Sequence, residues 1–251
     1  MELALVENAT GFGSAMARKP AKPQSKLHLD VLPPGQRMLW DELGSTPSQF
    51  VLYGGTAIAL RLGHRQSVDF DFFTDKPFDP AVLLDTVPYL KGAEVFQLAK
   101  DTLSVTTRRG TGVKISYFCP PKPLRIIGKE YVSASPQLRL APLIDLAATK
   151  VNVIFQRASA KDYVDLHALV TIGGIDLLAS LVAASFVFEG QSFNPFVALK
   201  AITYFGDMEF SSVPLNVRKG LERAVATIDM SAYDATVEAY RREPGRWKSF
   251  P

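Results

Sequence analysis

Cysteine is almost absent from this 251-residue chain, where Cys119 stands alone. No internal disulfide can form and no zinc site with paired thiolates exists, a usage that fits a reducing cytosol. Histidine is scarce as well, with three scattered positions and no metal motif among them. A long apolar run is also missing. The longest candidate, Val170 to Phe188, is broken by Gly173-Gly174 and Asp176, so it reads as a helix end, a turn and a new helix rather than a membrane span. The first residues lack the basic start and apolar core of a secretory signal, and export is not expected. Charge of one sign is in short supply too. With 28 basic against 25 acidic residues the net charge is +3, too small to argue nucleic-acid binding from the total. Internal repeats and low-complexity tracts are not evident.

What is present is a globular composition, 47% hydrophobic and 21% charged, which folds by burial of apolar surface. Arg18, Lys19, Lys22 and Lys26 lie among Pro20, Pro23 and Ser25 without an acidic neighbour. Such a segment suits a solvated arm, with nucleic-acid contact as the alternative. Helical spacing over Gln36 to Leu43 precedes a β-prone run, Phe50 to Tyr53, that stops at Gly54-Gly55. Good helix formers from Ala57 to Leu62 follow and end at Gly63, the residue type that best closes a helix. Val68 to Phe73, Glu94 to Ala99, Thr102 to Thr107 and Val113 to Phe118 alternate as strands. After Leu138 the periodicity turns helical: Pro142 to Gln156, Lys161 to Val170, Ile175 to Phe188, Pro195 to Tyr204 and Val217 to Ala226. The expected organisation is an arm over 1–32, a sheet-containing part over 33–137 and a helical domain over 138–251, an α+β chain with a mixed sheet and flanking helices.

Two features carry chemistry. On the strand from Val68, the residues Val68, Phe70 and Phe72 share one face while Asp69 and Asp71 share the other, with Cα atoms roughly 7 Å apart. Two carboxylates so placed repel by a few kcal/mol at intermediate dielectric, roughly, unless a cation sits between them. The ordinary alternative is a solvent-facing edge strand bearing two acids. Just upstream, Gly54-Gly55-Thr56 opens a helix whose unpaired N–H groups and dipole favour a phosphate, with Thr56 adding a hydroxyl donor.

The string Gly54-Gly55-Thr56-Ala57, Leu60, Arg61, Leu62, His64, Arg65, Ser67, Asp69, Asp71 closely resembles the first motif of the AbiEii/AbiGii-type toxin nucleotidyltransferases, within the polymerase-β-like superfamily. The resemblance implies that Gly54, Gly55 and Thr56 grip the phosphates of an NTP, that Arg65 and Ser67 belong to the same nucleotide site, and that Asp69 and Asp71 bind Mg2+ or Mn2+. A second stretch agrees with it, since the family has a helical lysine followed by KDxxDL, here Lys150 and Lys161-Asp162-Tyr163-Val164-Asp165-Leu166. The resemblance spans roughly Phe50 to Leu169.

Lys150 can also be weighed on its own helix. Asp145, Thr149, Asn152 and Gln156 form a polar stripe, whereas Lys150 lies with Leu143, Leu146, Ala147 and Ile154 on the apolar side. An inward ammonium needs an anion, either a carboxylate or an NTP phosphate, unless its stem snorkels to the surface. Asp162 sits in the first turn of the next helix after Ser159, where an acid also serves as a cap. Asp165, one turn on, shares its face, and either acid could act as a base or orient Lys150. Arg61, Arg65, Arg108, Arg109 and Lys114 could contact a triphosphate or an RNA backbone, against the ordinary reading of a solvated face.

One departure from the superfamily pattern stands out. A third acid is usual on a later strand, and the matching strand here, Val113-Lys114-Ile115-Ser116-Tyr117-Phe118, offers Ser116. Asp162 or Asp165 would then substitute, or the protein would bind nucleotide without efficient turnover. The expected activity is therefore metal-dependent transfer of a nucleotide from an NTP to an acceptor hydroxyl, of tRNA or another RNA, by the toxin of a toxin–antitoxin or phage-defence pair with a cognate antitoxin. A noncatalytic nucleotide- or RNA-binding protein and a metal-dependent nuclease are the alternatives. No membrane association is expected.

Overall fold

The computed structural model describes residues 26–110, 112–122, 124–157, 159–205 and 212–251. The basic cluster at Arg18, Lys19 and Lys22 falls outside them. The end of the expected arm packs on the body: Val31 and Leu32 are buried, and the His28 N–H donates to the Leu60 carbonyl at 2.8 Å.

The described chain runs α1 (Pro34–Leu39), β1 (Val51–Tyr53), α2 (Gly54–Leu62), β2 (Asp69–Phe73), α3 (Pro80–Thr86), β3 (Glu94–Ala99), β4 (Thr102–Thr107) and β5 (Val113–Phe118). A small hairpin, β6 (Tyr131–Val132) with β7 (Arg139–Leu140), leads to α4 (Leu143–Gln156), α5 (Ala160–Thr171), α6 (Leu177–Val187), α7 (Pro195–Ile202), α8 (Leu215–Ala226) and α9 (Tyr233–Arg242). These strands form one mixed sheet in the order β3-β4-β5-β2-β1-β7-β6. The β2–β5 and β1–β7 pairs are parallel and the others antiparallel. The expected mixed sheet and helical second half are both present, and so is every strand and helix the periodicity suggested. Four elements escaped that reading: α3, α9 and the two-residue strands β6 and β7. Because β7 pairs with β1, the sheet extends to residue 140 before the helices begin.

β2 lies in the middle of the sheet, between β1 and β5. Its alternation follows from its sequence: Phe70 and Phe72 are fully buried on one side, leaving the two aspartates on the other. α2 packs over the start of β2, where the buried Thr56 hydroxyl donates to the Asp69 carbonyl oxygen. Gly63 ends α2 in a left-handed conformation, φ 65°, as expected of a C-terminal glycine. Helix α6 is apolar around its circumference and correspondingly buried, with α4 packed along it. No helix among the described residues is long and apolar enough to cross a membrane.

Candidate active site

β1, α2, β2 and α4 surround a cleft of about 720 Å3 whose walls include Gly54, Gly55, Asp71, Lys150, Arg157 and Asp162. The sheet side is set by register. Tyr53 on β1 and Ser116 on β5 both stand opposite Asp71, and Lys114 stands opposite Asp69. Residues side by side in a ladder share a face, so Asp69, Asp71, Lys114 and Ser116 belong to one surface. Ser116 is buried and accepts from the Ser104 hydroxyl at 3.2 Å. The position beside Asp71 that would take a third acid is therefore a neutral hydroxyl tied to its neighbour.

The turn ahead of α2 needs glycine for two reasons. Gly54 has φ +71°, and a Cβ there would stand 2.7 Å from Asp71 Oδ2; a side chain would be both strained and in collision. A Cβ on Gly55 would meet Arg65 Nη2 at 2.5 Å and Ser67 Oγ at 3.0 Å. The helix start carries no side-chain cap, so its first N–H groups remain available to an anion.

Asp71 is held in an uncomfortable state. Burial pushes its pKa up and the Asp69 charge pushes it further, against the opposing influence of Lys114, Lys150 and Arg157. At about 7 Å and an effective dielectric near 20 the two carboxylates repel by roughly 2 kcal/mol. Hard oxygen donors crowded in this way suit a small divalent cation. No group of three or more His, Cys, Asp or Glu side chains among the described residues could hold an ion. Asp69 and Asp71 would thus supply the protein's two carboxylates, the remaining ligands coming from substrate phosphate and water.

Opposite the sheet, Lys150 enters the cleft from α4. Its Nζ lies 2.7 Å from Asp162 Oδ1 and 2.8 Å from Asp165 Oδ2. Burial works to neutralise the ammonium, but the two carboxylates overcome it and raise its pKa. Lys150 stays charged. The inward orientation read from the helical wheel is present, with carboxylates as the anions. Of the polar stripe, Thr149, Asn152 and Gln156 line the cleft. Asp145 is fully buried, accepts from the N–H groups of Ile127 and Gly128 at 2.8 Å each, and has its pKa pushed up by burial to about 7.

Asp165 is a hub. Arg65 donates to it bidentately, Nε at 2.7 Å and Nη2 at 2.8 Å, and His64 Nε2 lies 2.7 Å from the same carboxylate. Burial pushes its pKa up, yet the bonds from His64 and Arg65 and the charge of Lys150 hold it well below the usual carboxylate range. Arg65, expected at the triphosphate, is thus engaged by Asp165 while its guanidinium backs Gly55. Thr56, expected to offer its hydroxyl to phosphate, spends it on the Asp69 carbonyl. Arg109 pairs with Glu42 at 2.6 Å, and Arg61 stacks over Tyr131 at 4.7 Å. Neither Arg109, Arg61 nor Arg108 is on the cleft wall, whereas Lys122 and Arg157 are. These two basic residues had no signal in the sequence, since each is an isolated cation outside any motif.

Residues 37–246 match the family described as nucleotidyl transferase AbiEii toxin, type IV toxin–antitoxin system. An uncharacterized protein of Aquifex aeolicus (strain VF5) is 34% identical over 164 residues, covering 64% of this chain and 75% of that protein. Among solved structures, the nucleotidyltransferase toxin MenT4 of Mycobacterium tuberculosis H37Rv shares the fold at a TM-score of 0.56 and 19% identity, over 87% of this chain and 90% of its own. Gly54 and Gly55 at a helix start, Asp71 and the inward Lys150 share one cleft within the matched span, with Asp69 two residues before Asp71 on the same strand face, and the chain belongs to the AbiEii nucleotidyltransferase toxin family.

Proposed function

We propose that this nucleotidyltransferase moves the nucleoside monophosphate part of an NTP onto an acceptor hydroxyl of an RNA such as tRNA, with a divalent cation held by Asp69 and Asp71. The observation that carries the reading is the meeting of Asp71, half-buried and repelled by Asp69, with the uncapped N–H groups at Gly54 and Gly55 and the ammonium of Lys150 in one cleft. Cation, anion-binding backbone and fixed positive charge are what a triphosphate needs.

A magnesium or manganese ion bound there supplies charge neutralisation and Lewis-acid polarisation of the reacting phosphate. The remaining work belongs to the chain. Backbone N–H groups at Gly54 and Gly55 orient the phosphates, and Gly54 lets them approach Asp71. Lys150, held by two carboxylates, meets charge that grows on the transferring phosphate without having to reorient. Arg157 and Lys122 add positive charge at the walls. Ser116 cannot take a proton from the acceptor, and Asp162, the other carboxylate on the cleft wall, is left for that role. An adjoining hollow of about 670 Å3 shares Tyr53, Phe73 and Leu124 with the cleft and offers the acceptor end a way in. As the toxin of a type IV pair the protein works against a cognate antitoxin, which sets when the activity is released.

Incubation with alpha-labelled NTPs, Mg2+ or Mn2+ and total RNA should label RNA, and Asp71→Asn or Lys150→Met should abolish the label. Absence of labelling with every NTP, wild type matching Asp71→Asn, would sink the reading. Ser116 beside Asp71 favours a second one, nucleotide binding without efficient turnover. Calorimetry that finds metal-dependent NTP binding in a protein that never labels RNA would select it.

A further inference from the structure

The face that carries the aspartates changes character one step along. In register, β2 and β5 place Asp69 beside Lys114, Asp71 beside Ser116, and then Phe73 beside Phe118. The other phenylalanines of β2 are fully buried on the opposite face, whereas Phe73 and Phe118 are half-buried and line the cleft. Their rings lie 5.3 Å apart, tilted by 35°, and Tyr53 meets Phe73 edge-on at 5.4 Å. Two adjacent rings form a platform about 7 Å beyond Asp71, one two-residue strand step. That is the distance at which a ribose would carry its base from a phosphate held at Asp71. Across the cleft, α4 presents the amides of Asn152 and Gln156. An amide carries both a donor and an acceptor and so matches the hydrogen-bonding edge of a base.

We propose that the base of the incoming NTP stacks on the Phe73–Phe118 pair and that Asn152 and Gln156 read its edge. This rests on the nucleotide-transfer reading above and adds to it the place and the chemistry of base recognition. Stacking on aromatic rings is sequence-tolerant because every base has a π-face. The rings therefore set affinity for all NTPs, while the amides set which base is preferred.

The test compares each NTP with inorganic tripolyphosphate, in the presence of Mg2+, by calorimetry on the full chain. Phe73→Leu and Phe118→Leu should each weaken NTP binding about ten- to hundred-fold and leave tripolyphosphate binding unchanged. Asn152→Ala or Gln156→Ala should alter the ranking among the four NTPs by about ten-fold. A Phe118→Trp variant gives a second readout that does not depend on losing the ring: its fluorescence should be quenched by NTP and not by tripolyphosphate. If the leucine variants bind NTP like wild type, or if the tryptophan responds equally to both ligands, base stacking here is overturned while nucleotide transfer stands. If they raise the KM for RNA and not for NTP, the platform serves the acceptor and the proposal fails. If wild type binds neither NTP nor tripolyphosphate, the underlying reading fails with it.

Discussion

Two acidic centres within this molecule are built in opposite ways. Asp165 is saturated, with His64, Arg65 and Lys150 all within 2.8 Å, and its pKa falls despite complete burial. Asp71 is half-buried, faces another carboxylate, and has its pKa raised. The same functional group is a clamp in one setting and a site awaiting positive charge in the other. Desolvation acts on both; the difference lies in how many donors reach the oxygens. Asp165 ties the segment after α2 and helix α4 to α5, and thereby fixes where Lys150 stands relative to the sheet.

The contrast is sharpest in exchange experiments. Asp71→Asn should lower transfer to RNA by about a thousand-fold or more, roughly 4 kcal/mol of transition-state stabilisation, without lowering the melting temperature in metal-free buffer. A matching loss of stability would erase the distinction between the two centres. Asp165→Ala should do the reverse, costing about 3–5 kcal/mol of folding free energy by denaturant titration, because His64 and Arg65 lose their buried acceptor and Lys150 keeps only Asp162. Intact stability in that variant would show that His64 and Arg65 find a substitute acceptor.

Acid should separate the centres next. The folded pKa of Asp165 is depressed, so its contribution is complete above the ordinary carboxylate value near 4 and drains away as pH falls below it. Unfolding followed from pH 6 downward should steepen below about 4 in wild type, and Asp165→Asn should flatten that limb. Asp145, pushed up to about 7, runs the opposite way. Its proton is bound more tightly in the folded state, so the stability it contributes is present at low pH and declines as pH rises from about 4 through 7. Asp145→Asn should remove that decline, measured as the slope of unfolding free energy against pH. The smallest effect belongs to metal. Saturating Mg2+ should raise the wild-type melting temperature by a few degrees, about 2–4 °C for each kcal/mol of linkage, and leave Asp71→Asn unmoved.

Much of the catalytic half was legible because its information is local. Alternation put Asp69 and Asp71 on one face, and glycine placement marked the start and end of α2. Lys150 read as inward from helix phase alone. What escaped was set by contacts remote in sequence. The bond from His64 to Asp165 spans 101 residues, and nothing near either position announces it, so Arg65 was free to be imagined on a phosphate. Thr56 shows the same limit: only the packing of α2 on β2 brings its hydroxyl to a carbonyl thirteen residues away. The polar stripe of α4 was found but not what it faces, since periodicity distinguishes polar from apolar and cannot tell a substrate cleft from bulk water. β6 and β7, two residues each, are too short to alternate.

The hydrogen at Gly54, in place of a side chain, makes room for the carboxylate of Asp71 almost against the main chain. One added methyl would crowd the business end of this toxin while leaving every charged residue of the cleft in the sequence. Gly54→Ala should therefore disarm the site through its backbone alone, with every side chain that carries charge left in the sequence.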